Sequence, residues 1–168
     1  MNYIFKLIWW LIGWKIVGDV PRSEKKYIII TAPHTSNWDF MIGVLVRSVM
    51  GFDSKFLGKK SLFRFPFGWF FKRMGGYPVD RSKSTNLVDK VVDIFNRHER
   101  FVVAIAPEGT RKNVKEWKTG FYYIAHRAKI PIVRAKIDRR AKEVRFFDPV
   151  FTSGDIVRDM PKIKEVYN

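Results

Sequence analysis

Cysteine is absent from the 168 residues, and histidine occurs only three times. Without cysteine, disulfides, thiolate metal sites and cysteine nucleophiles are excluded. No acid or histidine recurs at metal-ligand spacing, so no obligatory metal is expected. Acidic residues are scarce, with 16 Asp and Glu against 32 Lys and Arg, a formal net charge of +16 and a pI near 10.2. That balance favours polyanionic partners: nucleic acid, an anionic membrane, acidic proteins or phosphorylated substrates. Long hydrophobic runs are also missing. The apolar run between Lys6 and Lys15 is eight residues long, against the roughly 20 that span a bilayer. No small-residue cleavage site follows it, so a secretory signal is not expected. Neither a Gly/Ser or Pro-rich linker nor an internal repeat divides the chain, which reads as one domain with one sizeable core.

Aromatics, by contrast, are abundant: 15 Phe, 6 Trp and 6 Tyr are more than one small core comfortably hides. Residues 3–18 are apolar except for the two lysines. They read as an interfacial or shallowly inserted amphipathic helix, with Trp9, Trp10 and Trp14 at headgroup depth and the lysines snorkelling. The other reading is an N-terminal helix that caps the core. Residues 58–74 mix cations and aromatics nearly one for one. This composition suits stacking on single-stranded nucleic acid or resting on an anionic membrane. Phe enters acyl chains readily, and the N-terminus points the same way. A membrane surface with anionic lipid is therefore the expected partner, and nucleic acid is not.

Along the rest of the chain, strands are expected at 26–31, 53–57, after the Gly75-Gly76 turn, and at 101–106, 132–137 and 144–147. Helices are expected at 38–50, largely apolar and therefore buried, and at 84–98 and 119–129. The alternation argues an α/β fold with a mainly parallel central sheet flanked by helices. Ligands in such sheets bind at the carboxyl ends of strands, where His34, Arg81 and Glu108 fall.

The stretch Ala32-Pro33-His34-Thr35-Ser36-Asn37-Trp38-Asp39-Phe40 lies between an apolar strand and an apolar helix. Ser36 or Asn37 suits the N-cap and Asp39 the first helical turn. A turn there lets Asp39 meet His34, and a carboxylate on one imidazole nitrogen leaves the other to take a proton. The same acid also suits a helix start by itself, with His34 an ordinary loop residue. His98 and His126 follow helical patterns and read as surface groups.

Several windows, in order, resemble the glycerophospholipid acyltransferases of the lysophosphatidic acid acyltransferase type. They are His34-Thr-Ser-Asn-Trp-Asp39, Gly76-Tyr-Pro-Val-Asp80-Arg81, Pro107-Glu108-Gly109-Thr110-Arg111 with Lys118-Thr-Gly120 after it, and Ile130-Pro131-Ile132-Val133. The resemblance covers roughly residues 26–137. Two positions depart from it: Ala106 where Phe is common and Lys112 where Ser is common.

The resemblance implies transfer of a fatty acyl group from acyl-CoA or acyl carrier protein, as substrate rather than cofactor, to the free hydroxyl of a lysophospholipid. The default acceptor is 1-acylglycerol-3-phosphate. His34 would be the general base and Asp39 its orienting partner, with no acyl-enzyme. Arg81 and Arg111 would hold the acceptor phosphate, or else pair with Asp80 or Glu108. Glu108 would contact the acceptor's glycerol region, or else organise its loop through backbone N–H groups. Gly109 and Thr110 would shape that loop, and Lys118 would assist phosphate binding or be a solvated cation. The expected organisation is a membrane-associating helix at 1–20 and an acyltransferase domain at 21–168. The expected place is the cytoplasmic face of a membrane, peripheral or monotopic. The remaining alternatives are a non-catalytic membrane-binding relative and a different lyso-lipid acceptor.

Overall fold

Tyr27 to Ile30 are all buried, because an unbroken apolar run can lie in a sheet only if both faces are covered. The computed structural model describes residues 2–34, 36–79, 87–110 and 116–167. Its strands are β1 (Lys15–Val17), β2 (Lys26–Ala32), β3 (Lys55–Lys59), β4 (Gly76–Val79), β5 (Phe101–Ile105), β6 (Ile132–Asp138) and β7 (Glu143–Val150). The helices are α1 (Asn2–Ile12), α2 (Asn37–Met50), α3 (Gly68–Arg73), α4 (Leu87–Arg97), α5 (Gly120–Ala128) and α6 (Ile156–Lys164), with 3-10 turns at Lys60–Phe63 and Glu165–Tyr167.

The strands form one sheet in the order β1-β7-β6-β2-β5-β3-β4. Every neighbouring pair is parallel except β6 and β7, as the alternating pattern led us to expect. Side chains alternate across β2. Ile28 and Ile30 join Phe95, Phe121, Tyr122 and Ile163 on the face covered by α4, α5 and α6. Tyr27 and Ile29 join Trp9, Ile42 and Val46 on the face covered by α1 and α2. The result is a three-layer sandwich of helix, sheet and helix.

Several boundaries differ from the sequence reading. The N-terminal helix stops at Ile12, where Gly13 takes φ +69° and its N–H bonds the Trp10 carbonyl. Glycine enters this left-handed region without a Cβ penalty. The chain then runs into β1 at the sheet edge instead of continuing the helix to residue 18. Trp9 is buried in the core and Trp14 packs beside it, 6.0 Å between ring centroids, so of the three tryptophans only Trp10 is fully presented to the outside. The second helix is not wholly buried either: Ile42 and Val46 face the sheet, while Trp38 and Met41 at its start are exposed. His98 is half-buried against Tyr77 and Phe101, whereas His126 is at the surface. Helix α6 has no counterpart in the sequence reading. Its nine residues mix apolar and charged side chains with Pro161 among them, and it is started by Asp155, whose carboxylate accepts the Val157 and Arg158 N–H groups.

Candidate active site

Strands β6, β2 and β5 are consecutive and parallel, so the loops at their carboxyl ends meet at one sheet edge. The register pairs Ile30 with Ile105 and Ala32 with Lys136. Thus His34 leaves β2 beside Glu108 from β5 on one side and Arg139 from β6 on the other.

Ser36 is the N-cap of α2. Its side chain accepts the Trp38 N–H at 3.1 Å, and its own N–H donates to Asp39 Oδ2 at 2.9 Å, a reciprocal capping box. The cap fixes Asp39 in a site where its side chain is only 2% exposed. Asp39 Oδ2 then lies 3.5 Å from His34 Nδ1, and the His34 side chain is 24% exposed. The helix-start contact and the contact to His34 expected of Asp39 are made by one and the same oxygen.

Glu108 Oε2 accepts the backbone N–H of His34 at 2.8 Å, tying the β5 loop to the β2 loop. Of the two readings of Glu108, this contact is the loop-organising one. Gly109 takes φ +64°, and the Lys118 side chain lies over it so closely that a Cβ there would come within 2.7 Å of Lys118 Cε. The Lys118 N–H donates to the Pro107 carbonyl at 2.8 Å. Lys118 therefore packs on the Glu108 loop, and Thr110 is exposed at its rim. Arg81 and Arg111, with Asp80, lie outside the described residues.

The sequence reading missed Arg139. Its Nε donates to Asp39 Oδ1 at 3.0 Å and its Nη2 to the same oxygen at 2.5 Å. The available signal was its place at the carboxyl end of a buried strand, the rule that located the other loops. Arg139, Arg140 and Lys136 with Pro33 and Tyr167 line a cleft of about 300 Å³. Tyr167 is held in its wall by two hydrogen bonds. Its hydroxyl donates to the Ile30 carbonyl at 2.9 Å and accepts the Ala135 N–H at 3.1 Å, and burial pushes its pKa well up. Among the described residues no three metal-ligating side chains cluster.

A family model described as Acyltransferase matches residues 15–137, from β1 almost to the end of β6. The chain belongs to the acyltransferase family. A 1-acyl-sn-glycerol-3-phosphate acyltransferase of Saccharomyces cerevisiae is 33% identical over 153 residues, which are 85% of this chain and 48% of the yeast protein. One of Streptococcus pneumoniae is 26% identical over 160 residues, 83% of this chain and 59% of that protein. The chain thus spans about half the length of these curated relatives. In fold it is similar to the crystal structure of the 1-acyl-sn-glycerophosphate acyltransferase from Thermotoga maritima, with a TM-score of 0.65 and 15% identity over 98% of this chain and 74% of that one. This acyltransferase-family chain carries the His34 and Asp39 dyad and the Glu108 loop inside the matched region, while Arg139 and Tyr167 lie beyond its end.

Proposed function

We propose that this protein transfers a fatty acyl group from an acyl thioester to the free hydroxyl of a lysophospholipid, by default 1-acylglycerol-3-phosphate, giving phosphatidic acid. The observation that carries the proposal is the imidazole of His34 facing a buried carboxylate, next in sequence to Pro33 of a cleft lined by Lys136, Arg139 and Arg140. A ring whose Nδ1 faces Asp39 has its other nitrogen left to accept a proton. His34 takes the proton of the acceptor hydroxyl as its oxygen attacks the thioester carbonyl carbon. The tetrahedral intermediate collapses, the C–S bond breaks, and the thiolate recovers the proton from the imidazolium. The thioester is already activated, so base catalysis and positioning suffice, without an acyl-enzyme.

The donor is acyl-CoA or acyl carrier protein. Both are polyanionic, and Lys136 and Arg140 in the cleft suit either. Arg81 and Arg111 are proposed to hold the acceptor phosphate, on the strength of the motif resemblance. Attachment to the surface of an anionic membrane is supported by the exposed apolar side chains Leu7, Trp10, Trp38, Phe65, Phe67 and Trp69. Among the described residues no helix is long and apolar enough to cross a membrane.

The test is thiol release from each thioester donor by purified protein on vesicles, with and without lysophosphatidate. Acceptor-dependent release is expected, falling by about 10²- to 10⁴-fold in His34→Ala. Release that persists in that variant would overturn the base assignment. No release with any donor and lyso-lipid acceptor, alongside intact vesicle binding, would replace the enzyme with a membrane-binding relative.

A further inference from the structure

Arg139 stands 100 positions after Asp39 in sequence, on the hairpin turn between β6 and β7, and its guanidinium is bound to the dyad's carboxylate. The turn is built rather than loose. The Ala141 N–H donates to Asp138 Oδ1 at 2.9 Å, and Lys142 Nζ donates to the Ile12 carbonyl at 3.1 Å. We propose that Arg139 is a positioning residue for acyl transfer: it grips Asp39 from behind, fixes which carboxylate oxygen faces His34, and offsets the carboxylate's charge beside the base. This rests on the general-base reading of His34.

The argument starts from the two oxygens of Asp39. Oδ1 receives both Arg139 N–H groups, while Oδ2 receives the Ser36 N–H and faces His34 Nδ1. With Oδ1 held by a planar fork, the carboxylate cannot swing about its Cβ–Cγ bond without giving up charge-assisted hydrogen bonds. The imidazole therefore always meets the same oxygen. The second consequence is electrostatic. A buried carboxylate with no cation would favour an adjacent imidazolium, and an imidazolium is no base. A guanidinium on the far side shares that charge, so the carboxylate orients the ring while leaving it able to accept the acceptor's proton.

The other charged groups around His34 are Glu108, whose carboxylate accepts the His34 N–H, Lys118 lying over Gly109, and Lys136 and Arg140 in the cleft beside Pro33. Alongside these groups, Arg139 bonds the carboxylate of Asp39 directly, through Oδ1.

The test compares full-length wild type with Arg139→Gln, Arg139→Lys, Asp39→Asn, Asp39→Asn/Arg139→Gln and His34→Ala, with Arg145→Gln as a surface-charge control. The thiol-release assay is run across pH. In Arg139→Gln, kcat is expected to fall about 10- to 100-fold with KM for both substrates within about twofold. The acid limb of its kcat/KM profile is expected to move up by about one pH unit, because a nearby cation has been removed. Arg139→Lys keeps the charge without the fork, so its limb stays in place and kcat recovers in part. The double variant is expected to be no slower than Asp39→Asn, since Arg139 acts through that carboxylate. A uniform loss of rate in Arg139→Gln with an unmoved limb would reduce Arg139 to a structural role and overturn the proposal. So would a wild-type rate and profile while His34→Ala is inactive. Full activity in His34→Ala would instead overturn the general-base reading itself. If Arg139→Gln does not fold, Arg139→Lys carries the test, and wild-type kcat in that variant overturns the fork.

Discussion

Asp39 Oδ2 both caps the first turn of α2 through the Ser36 N–H and faces His34. A second buried carboxylate, Asp159, does purely structural work with the same chemistry. It accepts from the Tyr122 hydroxyl at 2.9 Å, the Ser153 N–H at 2.6 Å and the Ser153 hydroxyl at 2.9 Å. Burial pushes its pKa up, but the Ser153 N–H, the Tyr122 hydroxyl and the Ser153 hydroxyl outweigh that and hold it below the usual carboxylate value. A depressed folded-state value contributes stability that is present above the unfolded value, near 4, and is lost as pH falls through the folded one. Thermal unfolding between about pH 5 and pH 2 should therefore lose stability more steeply in wild type than in Asp159→Asn. Equal slopes would show that the network adds nothing at acid pH. Tyr122 is fully buried. Tyr122→Phe removes one hydrogen bond to a charged group and should cost about 1.5–3 kcal/mol in urea denaturation.

Helix α1 is apolar on two faces, and they do different things. Trp9 is buried with Ile12 packed beside it, against the core under α2. Ile4, Leu7, Ile8 and Leu11, at the i, i+3, i+4 and i+7 positions of the other face, are exposed. The buried face makes α1 a cap on the core, and the exposed face is the one proposed to meet a membrane. Leu7→Glu with Leu11→Glu should weaken vesicle binding sharply while leaving stability within about 0.5 kcal/mol for each exposed position. Trp9→Ala should cost about 3–5 kcal/mol. Vesicle sedimentation and urea melts on the same variants separate the two effects. Undiminished sedimentation of the double glutamate variant would remove α1 from the membrane contact.

At the scale of the whole molecule, a net charge of +16 acts over distances that no single contact reaches. The Debye length shrinks from about 10 Å at 0.1 M salt to about 3 Å at 1 M. Binding to anionic vesicles should therefore weaken as salt rises, toward a remainder set by the exposed apolar residues. Neutral vesicles should be bound with little salt dependence. Equal binding to both at low salt would leave the charge to the acyl donor alone, which titration with an acidic carrier protein or a nucleotide thioester would then read.

The sequence alone determined what local pattern can specify. Continuous apolar runs over β2 and β5, and a largely apolar one over β6, marked buried parallel strands, because such strands must be apolar on both faces. The polar loops at their ends, with His34, Asp39 and Glu108, followed from those strand ends and from motif order. An N-cap at Ser36 or Asn37 was equally legible, since a capping box lies within four residues, and the structure decides for Ser36. Tertiary structure alone decided strand order, and with it that β6 lies beside β2. Arg139 on Asp39, Tyr167 bridging the Ile30 carbonyl and the Ala135 N–H, and the inward turn of Trp9 all depend on that placement. The physical reason is separation: these contacts join residues brought together only when the sheet forms. A polar hairpin such as Asp138-Arg139-Arg140-Ala141 has the composition of any surface turn until a buried carboxylate is found beside it.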